Sequence, residues 1–158
     1  SRDWSSDVCS SDLITREAGD RAFVLHSDGG EPVVWLSQRD VRELQFAKAA
    51  IATGWRLLLE EVGLVDADVQ QVLLAGSFGS YLSPRSAIGI GLVPKLPVVR
   101  IVSAGNVAGE GAKMVLLSST ERNGAQALLE EVDYVELSDR TDFQDKFVAE
   151  LALPTAGR

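Results

Sequence analysis

Two stretches of this sequence combine glycine with serine or asparagine in a way that would bring backbone against a ligand. The first is VLLAGSFGSY, residues 72–81. Its four apolar residues read as a buried strand, and Gly76-Ser77-Phe78-Gly79 follows at the C-terminal end. Glycines there admit a flat ligand close to the backbone. The C-terminal ends of strands are also where open α/β sheets hold ligands. A tight strand-to-helix turn with no ligand fits the same spacing equally well. The second stretch is SAGNVAGEGAKM, residues 103–114. Asn106 can cap a helix whose first amides would face an anion. The glycines at 105, 109 and 111 match neither the P-loop nor the dinucleotide spacing. Small residues at 108, 109, 111 and 112 suit a close-packed helix just as well.

Other chemistry is poorly supported. His26 has no His, Cys or carboxylate partner at metal-ligand spacing. Ser77 and Ser80 sit near glycines without forming a Gly-x-Ser-x-Gly elbow. Asp28-Gly29-Gly30 invites comparison with Asp-x-Gly phosphate loops, but a hairpin turn suits its flanking apolar runs better. Glu130-Glu131 reads as a solvated helix face and Asp142 as a helix start. Cys9, alone in 158 residues, excludes an internal disulfide framework and an all-protein Cys₄ site. A formal net charge of −8 without a Lys/Arg cluster argues against nucleic acid and anionic membranes as partners. No apolar run approaches the roughly 20 residues of a membrane span, and no signal peptide is evident. The expectation is a cytoplasmic soluble protein.

The elements that would position these stretches follow from periodicity. Residues 22–26 and 32–36 are predicted strands of a hairpin turning at Asp28-Gly29-Gly30. Ser37 with Asp40 resembles a capping box. Val41, Leu44, Ala47, Ile51, Trp55, Leu58 and Val62 then predict one apolar face of a helix over 38–61, stopped by Gly63. Strand 71–75 is followed by a short helix with Ser83 as cap and Pro84 at its first position. Further predicted elements are a buried strand over 98–102, helices over 108–118 and 122–131, a strand over 133–137 and a closing helix over 142–152. The order ββα–βα–βα–αβα is that of an α/β fold with a layered sheet covered by helices.

Residues 1–13, SRDWSSDVCSSDL, share no character with the rest. From Asp3 to Leu13 they closely resemble the peptide obtained when a common short-read sequencing adapter is translated in one frame. The expectation is a disordered, adapter-derived artefact over 1–13, a single lobe over 14–153 and a tail over 154–158. On that reading Cys9 is foreign and the frame opens inside a longer protein.

Four motifs occur in the order found in one family: LSQRDVRELQFAKAAI (36–51), LAGSFGSYLSPRSAIGIGLVP (74–94), SAGNVAGEGAKMVLLS (103–118) and VDYVELSDRTDFQDKFVAEL (132–151). They resemble the C-terminal domain of the reductive activators of corrinoid proteins and of the related methylamine-methyltransferase activators. The resemblance implies a partial lobe of an actin-like ATPase with the ribonuclease H-like fold. It implies a parent protein that couples ATP, with magnesium, to reduction of inactive Co(II) corrinoid to Co(I), using a [2Fe–2S] domain absent from this chain. The implied partner is a corrinoid protein or corrinoid-dependent methyltransferase, and a homodimer is possible. In that class Gly76, Ser77, Phe78 and Gly79 look like the adenosine loop. Gly105 and Asn106 open what looks like the second connecting helix. No catalytic residue and no metal ligand is implied within this chain. Both Asp-x-Gly phosphate hairpins of the class would lie before Ile14, and a lobe without them cannot position a γ-phosphate. The fragment alone is therefore expected to be inactive. Two alternatives stay open: a docking or dimerisation module with a vestigial nucleotide site, and a lobe of another actin-like ATPase or kinase. A dehydratase activator of that second kind should show a cluster-binding cysteine, which residues 14–158 lack.

Overall fold

The computed structural model describes residues 13–15 and 21–154. The proposed artefact over 1–13 therefore lies almost wholly outside the described residues, as does most of the tail. The hairpin forms as predicted, with β2 (Arg21–Asp28) and β3 (Glu31–Ser37) antiparallel and Asp28 opposite Glu31. Gly29 and Gly30 turn it with φ of 57° and 90°. Two successive positive φ values define the tight hairpin turn that strand twist favours, so Asp28-Gly29-Gly30 is a turn. A strand not expected from the sequence, β1 (Leu13–Thr15), pairs antiparallel with β2.

Helix α1 (Gln38–Glu61) starts on a complete capping box. The Asp40 amide donates to Ser37 Oγ at 3.1 Å, and Asp40 Oδ2 accepts from the Ser37 amide at 2.9 Å. Gly63, at φ 70°, ends the helix region. The face it buries is not the predicted one. Ile51 is 50% exposed and Leu58 45%, whereas Lys48, Ala49, Ala52, Thr53 and Leu57 are buried. Small residues win that face because neighbouring chain comes close to it. A Cβ on Gly54 would stand 3.7 Å from Leu137 Cδ1, and the segment after α6 (Phe143–Glu150) ties directly to Gln45 and Lys48. Thr53 Oγ1 is buried without a hydrogen-bond partner. An unpaired buried hydroxyl is destabilising, so Thr53→Val should raise the unfolding free energy by about 1 kcal/mol, read from its urea midpoint.

Strand β4 (Val72–Ala75) lies parallel to β5 (Ile101–Gly105). Between them run α2 (Gly76–Tyr81) and α3 (Pro84–Gly89), the latter with Ser83 as cap and Pro84 in its first turn. The core is Ala87, Leu92, Val93 and Ile101, with Val72, Leu74 and Ile88 packed against it. Two predicted strands are corrected. Residues 98–100 form a 3₁₀ turn in which the Arg100 amide donates to Pro97 O at 2.8 Å, so the strand starts at Ile101, where pairing with Val72 begins. Residues 133–136 pair with no strand among the described residues; a 3₁₀ turn over Leu137–Asp139 follows, anchored by Glu136 accepting from the Ser138 amide at 3.1 Å. Helix α4 (Val107–Leu117) meets α5 (Ser119–Leu128) at Ser118, which caps α5 by accepting from the Glu121 amide. The predicted helix over 122–131 is thus placed three residues earlier.

An ion-pair cluster joins the end of α1 to the start of α6. Arg140 reaches Asp142 at 3.0 Å and Glu61 at 3.0 Å, and Lys146 pairs with Asp142 at 3.0 Å and also with Glu60. The Arg140 guanidinium, then the Lys146 ammonium, hold the Asp142 carboxyl far below the usual carboxylate range. Nearby, hydrogen bonds from the Ser138 and Tyr134 hydroxyls lower Glu136 to about 2. A carboxylate depressed by folding contributes stability above its unfolded pKa of about 4, and loses it as pH falls through the folded value. Melting temperature should therefore fall between about pH 4 and pH 2. In Arg140→Gln that slope should flatten, as differential scanning calorimetry across the range would record.

Candidate functional site

Parallel pairing brings the two glycine segments together. Val72 pairs with Ile101, Leu73 with Val102, and Ala75 with Gly105, after a register irregularity between Leu74 and Ala75. Gly76, the residue after Ala75, and Gly105, opposite Ala75, therefore both stand at the C-terminal edge of the β4–β5 pair. Both have positive φ, 87° and 67°, and a Cβ on either would meet nothing within 4 Å. Each turns the chain sharply from strand into helix, leaving bare backbone at a shared ledge.

The residues around the ledge divide by role. Asn106 Oδ1 accepts from the Gly109 amide at 3.1 Å and so caps α4. Gly109 serves this cap, because a Cβ there would lie 2.5 Å from Asn106 Nδ2. Gly79 is buried, and its added Cβ would lie 2.9 Å from the Leu74 carbonyl carbon. Gly79 is thus explained by the close return of α2 onto β4 rather than by an open ligand face. Ser77 and Phe78 point the other way: Ser77 is exposed and Phe78 is 73% exposed. Tyr81, 92% exposed, was not singled out from the sequence, since an aromatic in a short apolar run reads as core. Of the six predicted site residues, Gly76, Ser77, Phe78, Gly105 and Asn106 lie at or next to this strand edge, and Gly79 is buried against Leu74.

Among the described residues no group of three or more His, Cys, Asp or Glu is arranged to hold a metal ion. Among the described residues, too, no helix is long and apolar enough to cross a membrane.

A strand hairpin feeding a long helix is thus followed by two strand–helix units with glycine turns at one edge. The family described as the C-terminal domain of RACo, the ASKHA domain, matches residues 3–158. The chain belongs to that family. It is 36% identical over 135 residues to the corrinoid activation enzyme RamQ of Eubacterium limosum, covering 84% of this chain and 23% of that protein. It is also similar in structure to a reductive activator for corrinoid,iron-sulfur protein, with a TM-score of 0.77, 32% identity, and coverage of 91% of this chain and 23% of the other. The chain thus spans about a quarter of the length of these relatives, 23% in both cases.

Proposed function

We propose that this chain is the C-terminal lobe of an ATP-dependent reductive activator, and that the β4–β5 ledge forms part of its nucleotide site. The parent protein would reduce an inactive Co(II) corrinoid protein, or the corrinoid of a methyltransferase, to Co(I). The observation that carries the reading is the pairing of Ala75 with Gly105, which sets Gly76-Ser77-Phe78 and Gly105-Asn106 at one edge. Bare backbone at the C-terminal edge of a parallel pair is where α/β folds hold ligands. Kinship with a corrinoid activation enzyme and with a reductive activator supports the rest.

Here the lobe supplies a surface for the nucleoside and a capped helix start, while phosphate positioning and electron transfer would come from elsewhere in the parent. On this reading the ledge meets the nucleoside, and the ligands of magnesium and of a [2Fe–2S] cluster would come from elsewhere in the parent. We also read residues 1–13 as translated adapter, although the family match starts at residue 3.

One experiment bears on both readings: sequencing the DNA upstream of the Ile14 codon from the source genome. Four cysteines in ferredoxin-like spacing, followed by Asp-x-Gly hairpins, are expected. Native sequence encoding SRDWSSDVCSSDL directly after a start codon would sink both.

A second reading has an observation in its favour. Leu128, Leu129, Val132 and Tyr134 are 56–84% exposed on and after α5. Large apolar side chains left exposed in one segment suit a docking or dimerisation module. The two readings part on ATP: a docking module with a vestigial site predicts no ATP-dependent change in the parent protein.

A further inference from the structure

A cavity of about 520 Å³ lies between α1, the 88–95 segment and the chain that follows α6, and no residue of the β4–β5 ledge lines it. Its volume falls within the range of small-molecule sites. One wall is Trp55, whose indole Nε1 donates to Leu92 O at 3.1 Å, which fixes the ring. Gly89 leaves another wall bare, because a Cβ there would meet nothing within 4 Å. The charges run against the rest of the molecule. Asp and Glu outnumber Lys and Arg by 23 to 15 in the chain, yet Lys48, Arg56 and Lys95 line the cavity against only Asp66 and Glu150.

Lys48 is 1% exposed. Its Nζ donates to Ala152 O at 2.7 Å, and its carboxylate neighbour, Glu150 Oε2, is 3.9 Å away. The same carboxylate is held more tightly by Arg56, at 2.8 Å. A buried ammonium that shares one carboxylate with a closer guanidinium is incompletely neutralised, and an anion in the cavity would complete it.

We propose that this cavity is an anion-binding site, separate from the ledge, that takes an organic phosphate. The phosphoryl oxygens would meet Lys48, Arg56 and Lys95, and a flat body would lie beside Trp55. Three acceptor oxygens suit three cationic side chains, and the volume leaves room for an attached ring. Because it shares no residue with the ledge, the site stands or falls independently of the nucleotide reading.

The test is an NMR titration of the 158-residue chain, following the Trp55 indole N–H, with phenyl phosphate, inorganic phosphate and phenol as probes. Phenyl phosphate should shift the resonance saturably, inorganic phosphate should bind roughly tenfold more weakly, and phenol should do nothing. Lys95→Glu and Arg56→Gln, at exposed side chains, should each weaken phenyl phosphate about tenfold, while Ser77→Tyr leaves it unchanged. No shift at roughly 10 mM phenyl phosphate would overturn the proposal. So would equal binding of inorganic phosphate, or unchanged affinity in both cation variants.

Discussion

Lys48→Met should lower the unfolding free energy by about 2 kcal/mol, one of the two largest effects expected from a single substitution here. Methionine keeps the length and apolar stem of lysine, so the loss isolates the ammonium. That group donates to Ala152 O at 2.7 Å, while Gln45 Nε2 donates to Leu151 O at 3.0 Å. Both acceptors lie just past the C-terminal end of α6, where a helix leaves carbonyls without intrahelical partners and carries partial negative charge. Methionine would leave the Ala152 carbonyl without its lysine donor, while Glu150 keeps Arg56 at 2.8 Å. Arg56→Met removes the other cation on Glu150 from a side chain that is 49% exposed, and should lose no more than about 1 kcal/mol. Urea denaturation of both variants decides the matter. Equal losses would mean that α6 is held by apolar packing, including Phe46 against Phe147 at 5.9 Å, rather than by its capped end.

The second large effect is Gly79→Ala, expected to destabilise by about 2 kcal/mol. In an ordinary helix this exchange stabilises by up to about 1 kcal/mol, so the sign of the result is diagnostic. At Gly79 the new methyl would sit 2.9 Å from the Leu74 carbonyl carbon and 3.0 Å from its oxygen, both backbone atoms of β4 that cannot turn aside. Gly111→Ala in α4 is the matched control, because a Cβ there meets nothing within 4 Å. It should gain roughly 0.5–1 kcal/mol. Thermal melts of the two variants should move in opposite directions. If both stabilise, the close return of α2 onto β4 is wrong, and the ledge geometry with it.

Much of this arrangement was legible in local chemistry. The hairpin needed only Asp28-Gly29-Gly30 between apolar runs, and α1 needed only Ser37 with Asp40 and a stop at Gly63. Asn106 and Ser83 were readable as caps because a short polar side chain before an apolar run has little else to do there. What failed depended on neighbours that periodicity does not encode. Ile51 and Leu58 looked inward, yet the helix is gripped on its Ala49/Ala52 side, where α6 and the Leu137 turn approach closely. Residues 133–137 have the composition of a strand, but a strand exists only beside a partner, and none pairs with them among the described residues. The site was legible at the level of segments. Register between β4 and β5 was not, and it is register that puts Gly105 beside Ala75; nor was the close return of α2 onto β4 that packs Gly79 against Leu74. Lys48 gave no signal at all, because a lysine within a helix reads as solvated until its burial is known.

The most direct test of the proposed function is the rate at which the complete parent protein reduces a Co(II) corrinoid protein, followed as Co(I) absorbance with and without ATP. It should be run on the wild type and on Ser77→Tyr. Ser77 is exposed at the ledge, so tyrosine should change stability by no more than about 0.5 kcal/mol while covering the bare backbone beside Gly76 and Gly105. The prediction is an ATP-dependent rate in the wild type and a loss of roughly tenfold or more of that dependence in the variant, equivalent to about 1.4 kcal/mol. Equal rates with and without ATP, or a variant that responds to ATP as the wild type does, would contradict a nucleotide site at this ledge.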